Sequence, residues 1–130
     1  PEALASAGSL TGYVSALYRK GDYAEAERLG VVWLEKAVTE QDVQQQVWAN
    51  HLLGSICQET QRPAQAAAYF EAVARTAPAD PVNLSIARVL LSQGRREQAL
   101  AQVDAVLTHA PPGALRNEAA ELRAQIEAAP

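Results

Sequence analysis

Apolar residues return every three to four positions along almost the whole chain, and the pattern breaks only at Gly, Pro and Asp punctuation. This period predicts a first helix over Leu4–Arg19, stopped by "KGD". Asp22, with Glu25 three residues on, has the pattern of a capping box, and it opens a second helix through "AEAERLGVVWLEKAV". Asp42 is placed to cap a third helix, "VQQQVWANHLLGSICQET". Pro63 suits the first position of a fourth, where its missing N–H is not needed. Asp80–Pro81 pairs an N-cap with a first-position Pro and opens a fifth helix, which Gly94 ends. A sixth runs from about Arg96 to His109, and "PPG" separates a seventh ending near Ala128. No strict alternation and no Asn-Gly hairpin signal occurs, so an all-α antiparallel array is expected, with "PEALASAGS" and "EAAP" fraying at its ends.

The helices repeat in pairs. "LGSICQETQRPAQAAAYFEAVARTAP" from Leu53 and "IARVLLSQGRREQALAQVDAVLTHAP" from Ile86 align at a spacing of 33 residues by size rather than identity. Leu53 matches Ile86, Gly54 matches Ala87, Cys57 matches Leu90, Ala66 matches Ala99, Phe70 matches Val103, Val73 matches Val106 and Pro78 matches Pro111. A helical hairpin explains this. Small residues sit where two helices cross, large ones fill the space beside the crossing, and the Pro closes the unit.

The residues that carry this period are "LLG" at 52–54, "QAAAYF" at 65–70 and "TAP" at 76–78 in the middle unit. "RVLLSQGRREQAL" and "HAP" carry it in the next, and "ALYRKGDYAEAERL" in an earlier one. This pattern resembles the tetratricopeptide repeat family. The resemblance implies an α-solenoid, a right-handed superhelix of about three helix-turn-helix repeats plus a C-terminal capping helix. The expected units are residues 7–40, 47–79 and 80–112, with the cap at 113–128, all in a single domain of residues 1–130. In the cap, Leu115, Ala119, Leu122 and Ile126 form a thin apolar row. The chain departs from the family at several points. Cys57 stands at an aromatic position, and Asn50 and Asn83 at the Trp position. Gly30 replaces an aromatic, and Trp33 stands where a small residue is usual. The first link is long, which predicts that "TEQDVQQ" lengthens the second or third helix.

Composition agrees and narrows the function classes. The chain has 130 residues and is 48% hydrophobic but only 5% aromatic, which suits close-packed helices. A net charge of −4 gives no basic footprint for nucleic acid. Apolar runs such as "VVWL" are far too short to insert directly into a membrane. One cysteine permits no internal disulfide, and no signal peptide is visible. The absence of any methionine, even at position 1, leads us to expect an excised domain or processed chain, with its localisation unknown.

No catalytic residue, cofactor site or metal site is expected. His51 and Cys57 lie six residues apart on one helix and point to different sides, which disfavours a Cys–His dyad. Cys57 is read as a small core residue, and His109 as a positive partner for its helix C-terminus. No metal-ligand spacing, phosphate loop or nucleophile elbow is present.

The resemblance points instead to a binding face. First helices of tetratricopeptide hairpins line a concave groove for a protein or peptide. By position these are Trp48, His51, Leu52, Ser55, Gln58 and Glu59 in the middle repeat. The next repeat offers Leu84, Ser85, Arg88, Leu91 and Ser92, and the first offers Ser15, Tyr18 and Arg19. Stacking is expected to bring Trp48 and Arg88 to one surface. Trp48 keeps two readings, groove or core against the preceding helix. A Lys/Asn/Arg clamp on a partner's C-terminal carboxylate is not expected, because no Lys falls on this face. The leading function is a non-catalytic protein-interaction or scaffolding module. The alternatives are an accessory recruitment domain of a larger enzyme and a self-assembling structural unit, so homo-oligomers stay open.

Overall fold

Ser6 opens the first helix in the computed structural model, which describes residues 6–129. Its hydroxyl accepts the Ser9 N–H at 3.2 Å, and both carboxylate oxygens of Glu40 accept the Ala7 N–H at 3.3 Å. Seven helices follow: α1 Ala7–Lys20, α2 Tyr23–Thr39, α3 Val43–Glu59, α4 Pro63–Thr76, α5 Val82–Ser92, α6 Arg96–His109 and α7 Ala114–Ala128. No strand occurs among the described residues. The expected start at Leu4 lies outside the described residues. Ala7, inside the N-terminal stretch expected to fray, is fully buried in the first helix.

The helix ends use one device repeatedly. At four turns a residue one or two positions past the helix is left-handed: Gly21 (φ 87), Gln41 (φ 56), Gln61 (φ 61) and Gly94 (φ 76). At each, the N–H of that residue bonds back three positions and the next N–H bonds back five, as in Asp22 N to Leu17 O and Arg62 N to Cys57 O. This is the Schellman arrangement, which satisfies the last carbonyls of a helix.

The starts are less uniform. Asp42 caps α3 as expected, accepting the Gln45 N–H at 3.1 Å. Pro63 opens α4, and Asp80 accepts the Val82 N–H at 2.9 Å while Pro81 already has helical dihedrals. Asp22 departs from expectation: its side chain caps nothing. Its ψ of 69° is far from the extended value that lets Ser6 cap α1, and Arg28 occupies the Glu25 carboxylate that would complete a capping box.

The helices pack as two compact units, residues 1–72 and 73–130. In the first, α1 and α3 lie side by side, and α2 packs behind both. Its core gathers Leu10, Val14, Leu29, Trp33, Ala37 and Ile56. Helix crossings are tight. A Cβ on Gly30 would fall 2.8 Å from Leu53 Cδ2, and one on Gly54 would fall 2.4 Å from Phe70 Cε1. The long first link is divided between two helices, since α2 and α3 each have 17 residues.

The second unit repeats the plan. Helices α5 and α7 lie side by side with α6 packed on both, and α7 buries Ala119, Leu122 and Ile126. Asn83, at the position of Asn50 in the size repeat, is fully buried. Its amide donates to the carbonyls of Ala77, Asp80 and Pro78 at 2.9, 3.2 and 3.3 Å and accepts from Gln102 at 2.9 Å. One side chain thus satisfies the turn between α4 and α5, where no left-handed residue closes the helix. Ala66 and Ala99, the expected crossing positions, are buried, at 2% and 0% exposure.

Candidate functional site

Trp48 has a large apolar side chain that α3 does not bury; it is 45% exposed. Residues 48, 52, 55 and 59 recur at helical spacing, so Trp48, Leu52, Ser55 and Glu59 form a strip along one side of α3. The strip faces α1, which contributes Thr11 and Ser15 one turn apart. Thr11, Ser15, Trp33, Trp48, His51 and Leu52 together line a cleft of about 270 Å³.

Hydrogen bonds fix the floor of the cleft. Gln45 Oε1 accepts from the Thr11 hydroxyl at 2.6 Å and from Trp33 Nε1 at 2.8 Å. The carbonyl thereby joins all three helices and gives the buried indole N–H a partner. Trp33 itself is 1% exposed, so the aromatic at the usual small position serves as core and as cleft wall. On the other side, the His51 ring lies 6.3 Å from that of Phe70. Farther along the strip Ser55 donates to the His51 carbonyl at 2.9 Å. Tyr18 stands beside it, and its phenol pKa is raised by burial and then by the nearby Glu59 charge; a hydrogen bond with Ser55 offsets part of the rise.

In the first unit, then, Ser15, Trp48, His51 and Leu52 of the sequence-predicted face meet at one cleft, and Ser55 and Tyr18 lie beside each other. Gln58 is half-buried, while Glu59 and Arg19 are exposed. Thr11, Trp33 and Gln45 were missed from sequence. The i,i+4 pair of Thr11 with Ser15 is the one signal that could have found any of them. In the second unit, Ser85, Arg88 and Ser92 are exposed and Leu91 is half-buried. Leu84 is a correction: it is 1% exposed and lies three residues before the buried Ala87, on the core side of α5. Arg88 is already engaged, since its guanidinium pairs with Glu118 of α7 at 2.7 Å, both side chains about half exposed.

Cys57 and His109 each have a structural setting. Cys57 is fully buried, and burial raises its thiol pKa, the opposite of an activated nucleophile. His109 bonds the Ala105 carbonyl one turn back, at 3.0 Å. Among the described residues no three His, Cys, Asp or Glu side chains group as metal ligands, and no helix is long and apolar enough to cross a membrane.

Side-by-side first helices backed by a second helix, closed by matched turns, define an array of tandem helical hairpins. The family called tetratricopeptide repeat matches at residues 49–80, from within α3 through α4 and the turn after it. The solved structure of Pseudomonas aeruginosa pilF matches with a TM-score of 0.62 over 95% of this chain, at 22% identity. This chain covers 57% of that protein's. No curated protein matches the sequence. Residues 49–80 therefore match a tetratricopeptide repeat, a repeat type that generally mediates protein–protein interaction, and the chain has the all-α fold of such arrays.

Proposed function

We propose that the chain is a non-catalytic interaction module that holds a peptide or protein segment on the face formed by α1 and α3. The observation that supports this is the cleft around Trp48. A folded chain gains by burying a tryptophan, yet this one is left nearly half exposed beside Leu52, His51 and Ser15. Tryptophan is also among the residue types that most often carry binding energy at interfaces. Polar groups ring the apolar walls, which suits a segment that brings both an apolar side chain and backbone hydrogen-bonding groups. Ser85, Arg88 and Leu91 are the corresponding residues of α5; a ligand carboxylate reaching Arg88 has to compete with Glu118.

The test compares two exposed apolar side chains on different helices. Trp48→Ala is expected to weaken retention of the natural partner by about thirtyfold or more, equivalent to ~2 kcal/mol, with little change in melting temperature. Val38→Ala, on α2 and 56% exposed, is expected to leave retention unchanged. Equal retention by both variants would move the interface off this face.

A further inference from the structure

We infer that the segment taken by the α1–α3 face is cationic, with an apolar residue seated in the Trp48 cleft and a Lys or Arg directed at Glu59. The inference rests on the interaction face proposed above and adds the chemistry of its occupant. Trp48 and Glu59 are eleven residues apart on one helix. At about 100° and 1.5 Å per residue they lie on the same side of α3, about 16 Å apart along its axis. Ser55 and Leu52 stand between them, so one strip runs from an apolar end to an acidic end.

Glu59 is exposed and makes no ion pair with any described residue, whereas Glu25 and Glu27 of the same unit are held by Arg28 and Arg62. Its charge is felt at Tyr18, which places it beside the strip. The α1 side of the strip ends on the exposed Arg19, so the ligand's cation belongs on the α3 side. The wider field has the same sign as Glu59. Residues 1–72 carry nine Asp and Glu against five Lys and Arg, a net −4, while residues 73–130 carry six of each. The whole formal charge of the chain therefore sits on the unit that holds the cleft. A cationic ligand is steered toward that unit, and an acidic one is repelled.

The test uses the full chain and three amphipathic peptides with one leucine pattern, whose polar positions are all Lys, all Gln or all Glu. Affinity is read by titration calorimetry at low and high salt. The Lys peptide is expected to bind most tightly and to weaken with salt. Trp48→Ala should lower its affinity tenfold or more, and Glu59→Gln about threefold, the scale of one exposed ion pair. Glu35→Gln, on an exposed position of α2, removes the same charge and should change nothing. An equal loss in Glu35→Gln would reduce the effect to net charge and overturn the inference. Tighter binding of the Gln or Glu peptide, with the Trp48 dependence intact, overturns the charge assignment and leaves the face standing. Binding of all three peptides regardless of Trp48 overturns the face as well. Absence of binding by the Lys peptide overturns the inference alone, and the face is then judged by retention of the natural partner.

Discussion

Gln61 and Gly94 occupy the same place in two hairpins, 33 residues apart, and both are left-handed. A side chain in that conformation costs about 1–2 kcal/mol, and glycine avoids the clash but loses more freedom on folding. Gln61→Gly is therefore expected to stabilise the protein by about 0.5–1 kcal/mol and raise its melting temperature by a few degrees. Gly94→Ala should lower stability by about 1 kcal/mol, because its backbone must stay left-handed. Thermal melts of the two variants against the parent check both signs, and a destabilised Gln61→Gly would show that Gln61 is kept for its contacts instead. The same scale explains Asn50 and Asn83. Family resemblance calls for Trp there, but the chain buries amides, and Asn83 satisfies three carbonyls at the end of α4 and its turn together with Gln102. A buried amide is tolerated only when its hydrogen bonds are made, and here they are.

Helix starts separate the two aspartates that look alike in sequence. Asp42→Ala should destabilise the protein by about 1 kcal/mol, since it removes a real cap on α3, the helix that carries the Trp48 strip. Asp22→Ala should fall within about 0.5 kcal/mol of the parent, because its carboxylate caps nothing. Urea midpoints of the pair decide the matter; equal losses would contradict the cap assignment. The last helix is held by ion pairs as well as by its apolar row. Arg123 joins Asp104 of α6 and Glu127, Arg88 joins Glu118, and Arg96 donates to the carbonyls of Ile126 and Glu127 at 3.1 Å. These contacts seat α7 against α5 and α6 as α3 sits against α1 and α2, so it closes the second unit where a further hairpin could begin.

For the whole molecule, acid is the informative variable. Arg62 holds Glu27 with two charge-assisted hydrogen bonds, at 2.7 and 2.8 Å, and keeps its carboxyl below the ordinary glutamate pKa. A depressed folded-state value contributes stability that is complete above the unfolded value and lost as pH falls through the folded one. Glu27→Gln should therefore lower the urea midpoint at neutral pH, and the gap from the parent should close in the acid range below the usual glutamate value. A gap that persists at low pH would mean the pair contributes by packing rather than by charge.

Much of this protein is legible in its sequence alone. Helix period, Pro and Gly punctuation and the size repeat depend on neighbours three to five residues away, and they point to all seven helices, the crossing alanines and the family resemblance. The α3 face is legible for the same reason, since a helix determines which residues share a side. What only the tertiary structure decided was how much of each face neighbouring helices cover. Leu84 belongs by position with the open face, but it is buried on the side of α5 shared with Ala87. Trp33 looks misplaced by sequence, but Gln45 supplies its partner and holds Thr11 as well, so that one carbonyl joins three helices. Arg88 looks free by sequence, but Glu118 reaches it from thirty residues later. Local periodicity sets where a side chain points along its own helix, and only the packing of other helices sets whether water, a partner or the core is there to meet it.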